Sequence, residues 1–192
     1  MRYSALGVAN YFIQKAFDED NLLTRLWVMK MCYISYGWHA QLKGDALFEE
    51  SIQANQYGPF VEAVRIALFE NIPKKYAFFN LLTVNKHDDD LARELLKTKQ
   101  LNRVETNVKD SDFLDDMYKA HKKISNGRLS YYCRHGSDKQ GVVSAFYKIL
   151  IENDGYLEDN PVIPFECIKE DFRKIHLKAN ENKDFIKDYK VT

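Results

Sequence analysis

Thr24-Arg25-Leu26-Trp27-Val28-Met29-Lys30-Met31-Cys32-Tyr33-Ile34-Ser35-Tyr36-Gly37-Trp38-His39-Ala40-Gln41-Leu42-Lys43-Gly44 is the stretch on which the fold turns. Thr24 suits an N-cap, because its hydroxyl can accept a bond from an otherwise unpaired first-turn N–H. Gly44 suits the stop, because glycine readily takes the left-handed conformation of many helix ends. The two signals predict one helix from Thr24 to Lys43. At about 100° per residue, Met29, Ala40, Tyr33, Leu26, Gly37, Ile34, Trp27, Trp38, Met31 and Leu42 share a broad apolar arc. Val28, Ser35, His39, Cys32 and Lys43 take the narrower remainder. Such an arc predicts a central helix packed on several sides, not a surface helix with a thin stripe. Lys30 falls inside the arc, where it must snorkel, pair or lose its charge. A carboxylate or carbonyl partner within the fold is therefore expected for it.

Working outward, Ala5 to Phe17 reads as an amphipathic helix with Leu6, Ala9, Ile13 and Phe17 on one face, widened by Tyr11 and Phe12. Asp45 to Phe48 and Ser51 to Ala54 are too short for helices and are read as a small hairpin. Tyr57-Gly58-Pro59 is read as the start of a third helix, with Pro59 near the first position, where a missing N–H costs nothing. Asn71 to Lys75 breaks that helix. Tyr76 to Val84 fits a buried helix or a strand equally, and a helix is expected from Leu91 to Thr98. After a polar linker, Asp110 or Ser111 is expected to cap a helix carrying Phe113, Leu114, Met117, Tyr118 and Ile124. Asn126-Gly127 is a turn signal. Helices are then expected from Leu129 to Arg134, Lys139 to Glu152 and Phe165 to Leu177. The prediction is a mainly α, compact, single-domain fold over 1–177, with a small β element near 47–54. A polar tail is expected over 178–192.

Composition narrows the function classes. The chain has 192 residues, with 28 Lys plus Arg against 28 Asp plus Glu, so no general attraction to nucleic acid or anionic membrane is expected. Hydrophobic residues at 45% suffice for a packed core. No apolar run approaches membrane-spanning length, and no signal-peptide pattern opens the chain. The three cysteines, Cys32, Cys133 and Cys167, are too few and too scattered for a disulfide framework and suit a reducing cytoplasm.

A wider pattern also emerges. Val8-Ala9-Asn10-Tyr11-Phe12-Ile13 is followed by Leu23-Thr24-x-Leu26-x-x-x-Lys30-Met31-x-Tyr33-x-x-x-Gly37-Trp38. Then comes Gly44-x-x-Leu47-Phe48-x-Glu50-x-Ile52-x-Ala54-x-x-Tyr57-Gly58-Pro59-x-Val61. Over Leu6 to Val64 this resembles the Panacea domain, the family of phage-associated GepA-like proteins and SocA-type antitoxins. Tyr132-Cys133-Arg134-His135 resembles the family's later threonine–histidine segment more weakly. Arg25 replaces a usual proline, and Asn55 a common tryptophan. The resemblance implies an antitoxin that neutralises a toxin encoded beside it by direct contact. One branch of the family delivers the toxin to a protease complex. It implies no catalytic residue, cofactor or metal. Its motif positions here are Thr24, Lys30, Tyr33, Gly37, Trp38, Tyr57, Gly58 and Pro59. Taken by themselves, most are structural: a cap at Thr24, close packing at Gly37, core at Tyr33 and Trp38, a turn at Gly58-Pro59.

Other chemistries are weakly supplied. Cys133-x-His135 offers two metal ligands where zinc needs three or four. A Cys–His nucleophile needs an orienting group and a lowered thiol pKa. His87-Asp88-Asp89-Asp90 reads as a solvated capping loop before it reads as a metal site. Lys74-Lys75-Tyr76 with Phe78 and Phe79 has the composition of a nucleic-acid stacking platform, but no basic stripe extends it. Three readings follow: a toxin-binding antitoxin, a nucleic-acid-associated phage or mobile-element regulator, and a Cys/His enzyme. The first is favoured, with no enzymatic activity, no membrane partner and no nucleic acid expected. The expected contact residues lie outside the shared motif: Tyr76, Phe78 and Phe79 in the middle of the chain, and Phe185, Ile186 and Tyr189 in the tail.

Overall fold

The computed structural model describes residues 3–19, 21, 23–70, 108–135, 144–153, 155, 157 and 159–181. Their order is α1 (Ala5–Asp18), α2 (Arg25–Lys43), β1 (Gln53–Asn55), β2 (Gly58–Phe60), α3 (Glu62–Arg65), a π-helical turn (Ile66–Glu70), α4 (Val108–His121), α5 (Asn126–His135), α6 (Ala145–Glu152) and α7 (Phe165–Glu181). The fold is mainly α, with one two-stranded antiparallel sheet among the described residues. Helix α2 is its axis, in contact with α1, α5, α7 and β2.

The caps of α2 form as the sequence predicts. The Trp27 N–H donates to Thr24 Oγ1 at 3.0 Å. At the other end Gly44 sits at φ 85°, and its N–H reaches the Ala40 carbonyl. Every residue from Trp27 to Ala40 is buried. Burial is wider than the apolar arc, since Val28, Cys32, Ser35 and His39 are enclosed as well, while Leu42, inside the arc, is exposed. A helix enclosed all round needs no dry stripe, so periodicity understates its burial.

Helix α1 packs through Ala5, Val8, Ala9, Phe12, Ile13 and Ala16, a face rotated from the one the sequence suggests, with Leu6 only partly buried. Small residues let α1 approach α2, and Phe12 meets Trp27 edge-on at 5.8 Å. Trp27 in turn meets Tyr118 of α4 at 6.0 Å. Lys15 pairs with Asp115 at 2.9 Å, and Glu19 with Lys122 at 2.7 Å, tying α1 to α4. The Tyr11 hydroxyl also donates to Asp115. Glu50, part of the wider sequence pattern, accepts the Ala5 N–H at 3.0 Å and so caps α1.

Several boundaries differ from expectation. The small β element pairs Gln53 with Phe60, Ala54 with Pro59 and Asn55 with Gly58, so it lies further along the chain than the 45–54 segments. Pro59 is therefore a strand residue, and α3 starts only at Glu62. Both positions tolerate proline's fixed φ, so local reading cannot separate them. Strand β1 is also tied to the 161–163 segment: the Ala54 N–H donates to the Pro161 carbonyl at 2.9 Å and the Ile163 N–H to the Ile52 carbonyl at 2.8 Å. Helix α4 begins at Val108, which puts Asp110 and Ser111 inside it, and ends before Ile124. Asn126-Gly127 opens α5 instead of forming a turn, because the Thr24 hydroxyl donates to Asn126 Oδ1 at 2.7 Å and anchors that end. Helix α6 starts at Ala145, capped by Ser144, whose oxygen accepts the Tyr147 N–H at 3.1 Å. Helix α7 continues past Leu177 to Glu181.

Candidate functional site

The motif residues converge where the hairpin crosses α2. Gln56-Tyr57 forms the turn between the strands, and Asn55 Oδ1 accepts the Tyr57 N–H at 2.8 Å. The departure at Asn55 is thereby accounted for: an Asn side chain closes the turn locally. The departure at Arg25 has a comparable reason. Its guanidinium donates to the Leu68 carbonyl at 3.2 Å and lies 4.3 Å from the Phe69 ring centroid, docking the start of α2 on the π-helical turn.

Lys30 is fully buried. Its Nζ donates to the Tyr57 carbonyl at 2.8 Å and the Pro59 carbonyl at 3.1 Å. The expected internal partner therefore exists, as two carbonyls and no carboxylate. Burial holds the Lys30 pKa below its ordinary value, with neighbouring Arg134 adding to the effect and Cys133 opposing it. Gly58 completes the arrangement. It sits at φ 103°, and a Cβ there would lie 2.9 Å from Arg134 Cγ and 3.0 Å from Lys30 Nζ. Lys30, Tyr57, Gly58 and Pro59 are thus one device: the ammonium holds the hairpin, and the glycine makes room for it.

Gly37 is a close-approach position too. A Cβ there would lie 2.1 Å from Phe172 Cε2 of α7. Tyr33 and Trp38 flank it, edge-on to the same Phe172 ring at 5.8 and 5.6 Å. Of the eight motif residues, Tyr57 is the outlier, because it is 65% exposed while its carbonyl serves Lys30.

Cys133 and His135 are placed in different settings. Cys133 is buried, and burial pushes its thiol up to about 12 against the opposing influence of Lys30. His135 lies between Tyr131 and Tyr147, ring centroids at 4.7 and 5.9 Å. A thiol raised by burial is a poor nucleophile and a poor metal ligand. Among the described residues, no group of three or more His, Cys, Asp or Glu is placed to hold a metal ion. Tyr76, Phe78, Phe79, Phe185, Ile186 and Tyr189 lie outside the described residues, as do Lys74, Lys75 and His87 to Asp90.

Two features escape sequence reading. Arg134 sits against Gly58, and its Nε is buried without a hydrogen-bond partner. Tyr131, one turn before it on α5, is 46% exposed. The weak family likeness over Tyr132 to His135 is the signal that pointed to this helix.

Together these features define a helical module whose shared residues hold a hairpin on a buried helix. The sequence profile of the family described as "Antitoxin SocA-like, Panacea domain" matches residues 28–136, more than half of the chain. The chain belongs to this SocA-like antitoxin family. No curated protein and no solved structure matches it. Among the described residues, no helix is long and apolar enough to cross a membrane.

Proposed function

We propose that this protein is an antitoxin that neutralises a cognate toxin by direct protein–protein contact in the cytoplasm. The observation that carries the reading is the family match over residues 28–136, which spans the Lys30–hairpin device and α5. Action by binding, without catalysis, is consistent with a buried Cys133 whose thiol burial holds high and with a His135 packed between two tyrosine rings. Delivery of the toxin to a protease complex is a further step open to such an antitoxin.

The test is co-expression with the reading frame adjacent to its gene. That frame alone should arrest growth, this chain should restore it, and the two products should co-purify in fixed stoichiometry. Arrest that persists although both proteins accumulate would remove the antitoxin reading. If rescue requires an intact host protease and the toxin's half-life falls, the adaptor form holds. Rescue with unchanged toxin levels means neutralisation by masking alone.

A further inference from the structure

We propose that the exposed tip of the hairpin at Tyr57, together with Arg134 and Tyr131 of α5, is the surface on which the toxin docks. The partner places a carboxylate on Arg134, flanked by apolar side chains against the two tyrosines. The proposal rests on the antitoxin reading above and names its interface.

The charge argument comes from pairing. Among the described arginines, Arg65 is bound to Glu62 at 2.7 Å and Arg173 to Glu170 at 2.6 Å. Arg128 donates to the Tyr132 hydroxyl at 2.9 Å, and Arg25 to the Leu68 carbonyl. Arg134 has no such acceptor among the described residues, although its Nε is already withdrawn from water. Beside it, across Gly58, lies the Lys30 ammonium, whose two hydrogen bonds go to neutral carbonyls. Two cations thus meet at one point of the fold, with no carboxylate between them among the described residues. A charged acceptor suits a guanidinium best, and a docking carboxylate would meet its outer nitrogens and not the enclosed Nε. A guanidinium whose stem is held against a backbone has already lost much of the rotamer freedom that binding would otherwise remove.

The apolar argument comes from exposure. Tyr57 stands out at the hairpin turn and Tyr131 emerges one helical turn before Arg134, so aromatic surface lies beside that guanidinium. Tyrosine and arginine dominate the energetics of protein interfaces because they combine large area with few rotatable bonds or with forked donors. The anchoring is rigid, since Lys30 fixes the turn and Gly58 fixes the distance to α5. A nucleic-acid phosphate would also suit a guanidinium. A chain with equal numbers of acidic and basic residues and, among the described residues, one arginine without an acceptor favours the protein partner.

The experiment is calorimetric titration of the purified product of the adjacent reading frame into the full chain, at about 0.15 M salt. The variants are Arg134→Glu, Arg134→Gln, Tyr57→Ala and, as a control carrying the same charge change on α7, Arg173→Glu. The expected result is binding weakened by about tenfold or more in Arg134→Glu and Tyr57→Ala, less in Arg134→Gln, and within about twofold in Arg173→Glu. Thermal melts accompany each variant. If Arg134→Glu melts early, Tyr57→Ala, whose side chain lies largely in solvent, decides the matter with Arg134→Gln. Wild-type binding that both of these retain would overturn the surface and leave the antitoxin reading standing. No binding by the wild type removes both. A fluorescein-labelled single-stranded DNA that binds the wild type and not Arg134→Gln would overturn the carboxylate assignment in favour of phosphate.

Discussion

At Lys30 a buried ammonium is tolerated because two carbonyls of one hairpin accept from it, and the same contact makes Gly58 irreplaceable. Gly58→Ala forces a side chain into φ 103° with a Cβ 2.9 Å from Arg134 Cγ. Strain and overpacking together should cost about 2–4 kcal/mol in urea denaturation. Gly127→Ala, with open space at its Cβ, should be neutral or gain on the order of half a kcal/mol. Equal effects would mean that the hairpin does not need its glycine. Lys30→Met leaves the Tyr57 and Pro59 carbonyls without their donor and should lower stability by about 1–3 kcal/mol at neutral pH. Its pH dependence has a definite sign. Burial depresses the folded-state pKa of Lys30 below the ordinary 10.5. Between those two values the unfolded chain binds more protons than the folded one, so this group adds stability as pH rises. The gap between the parent and Lys30→Met should therefore widen as pH rises from the depressed folded-state pKa towards 10.5. A gap that narrows over that window would contradict the depressed pKa.

The packing of α7 on α2 reverses the usual effect of a helix glycine. Replacing a mid-helix glycine with alanine ordinarily gains about 1 kcal/mol. At Gly37 the new Cβ would meet the Phe172 ring at 2.1 Å, so Gly37→Ala should instead cost about 1–3 kcal/mol. Gly37→Ala with Phe172→Leu should recover part of that loss in a double-mutant cycle, and strictly additive losses would disprove the contact. Elements are also where sequence reading succeeds and stops. The ends of α2 are legible because Thr24 and Gly44 act within one turn of themselves. Lys30 is legible as a residue needing a partner, since its position in the arc is local information. Its partners are not, because Tyr57 and Pro59 are brought to it by the hairpin. The role of Pro59 as a strand residue is hidden for the same reason. Asn126-Gly127 reads as a turn until the Thr24 hydroxyl, from another helix, is seen to hold it. The rotated face of α1 follows from small residues, Ala5, Ala9 and Ala16, that carry little weight in a hydrophobic pattern but allow close approach. Arg134 is least legible of all, because having no carboxylate partner among the described residues is a property of the assembled fold.

Across the whole molecule, the three cysteines report which parts open together. Cys167 is exposed, while Cys32 of α2 and Cys133 of α5 are buried. Burial pushes the Cys133 thiol up to about 12 and raises Cys32 as well, so neither is a thiolate near neutrality. In iodoacetamide under native conditions at mildly alkaline pH, Cys167 should be modified promptly and the other two only through opening, as read by peptide mass spectrometry. All three should react in denaturant. The informative quantity is the relative rate of the two buried thiols. Helix α5 is held by the Thr24–Asn126 bond at one end, and its Arg134 packs on the hairpin that Lys30 grips. If those ties make α5 part of the same cooperative unit as α2, Cys32 and Cys133 should label in step. Both rates should then rise with urea along the slope of global unfolding. Lys30→Met, by loosening the hairpin, should bring Cys133 labelling forward relative to Cys32. Cys133 labelling well ahead of Cys32 in the parent would show that α5 opens on its own. The hairpin–α5 surface would then be a mobile flap instead of the preorganised dock that Arg134 and Tyr57 require.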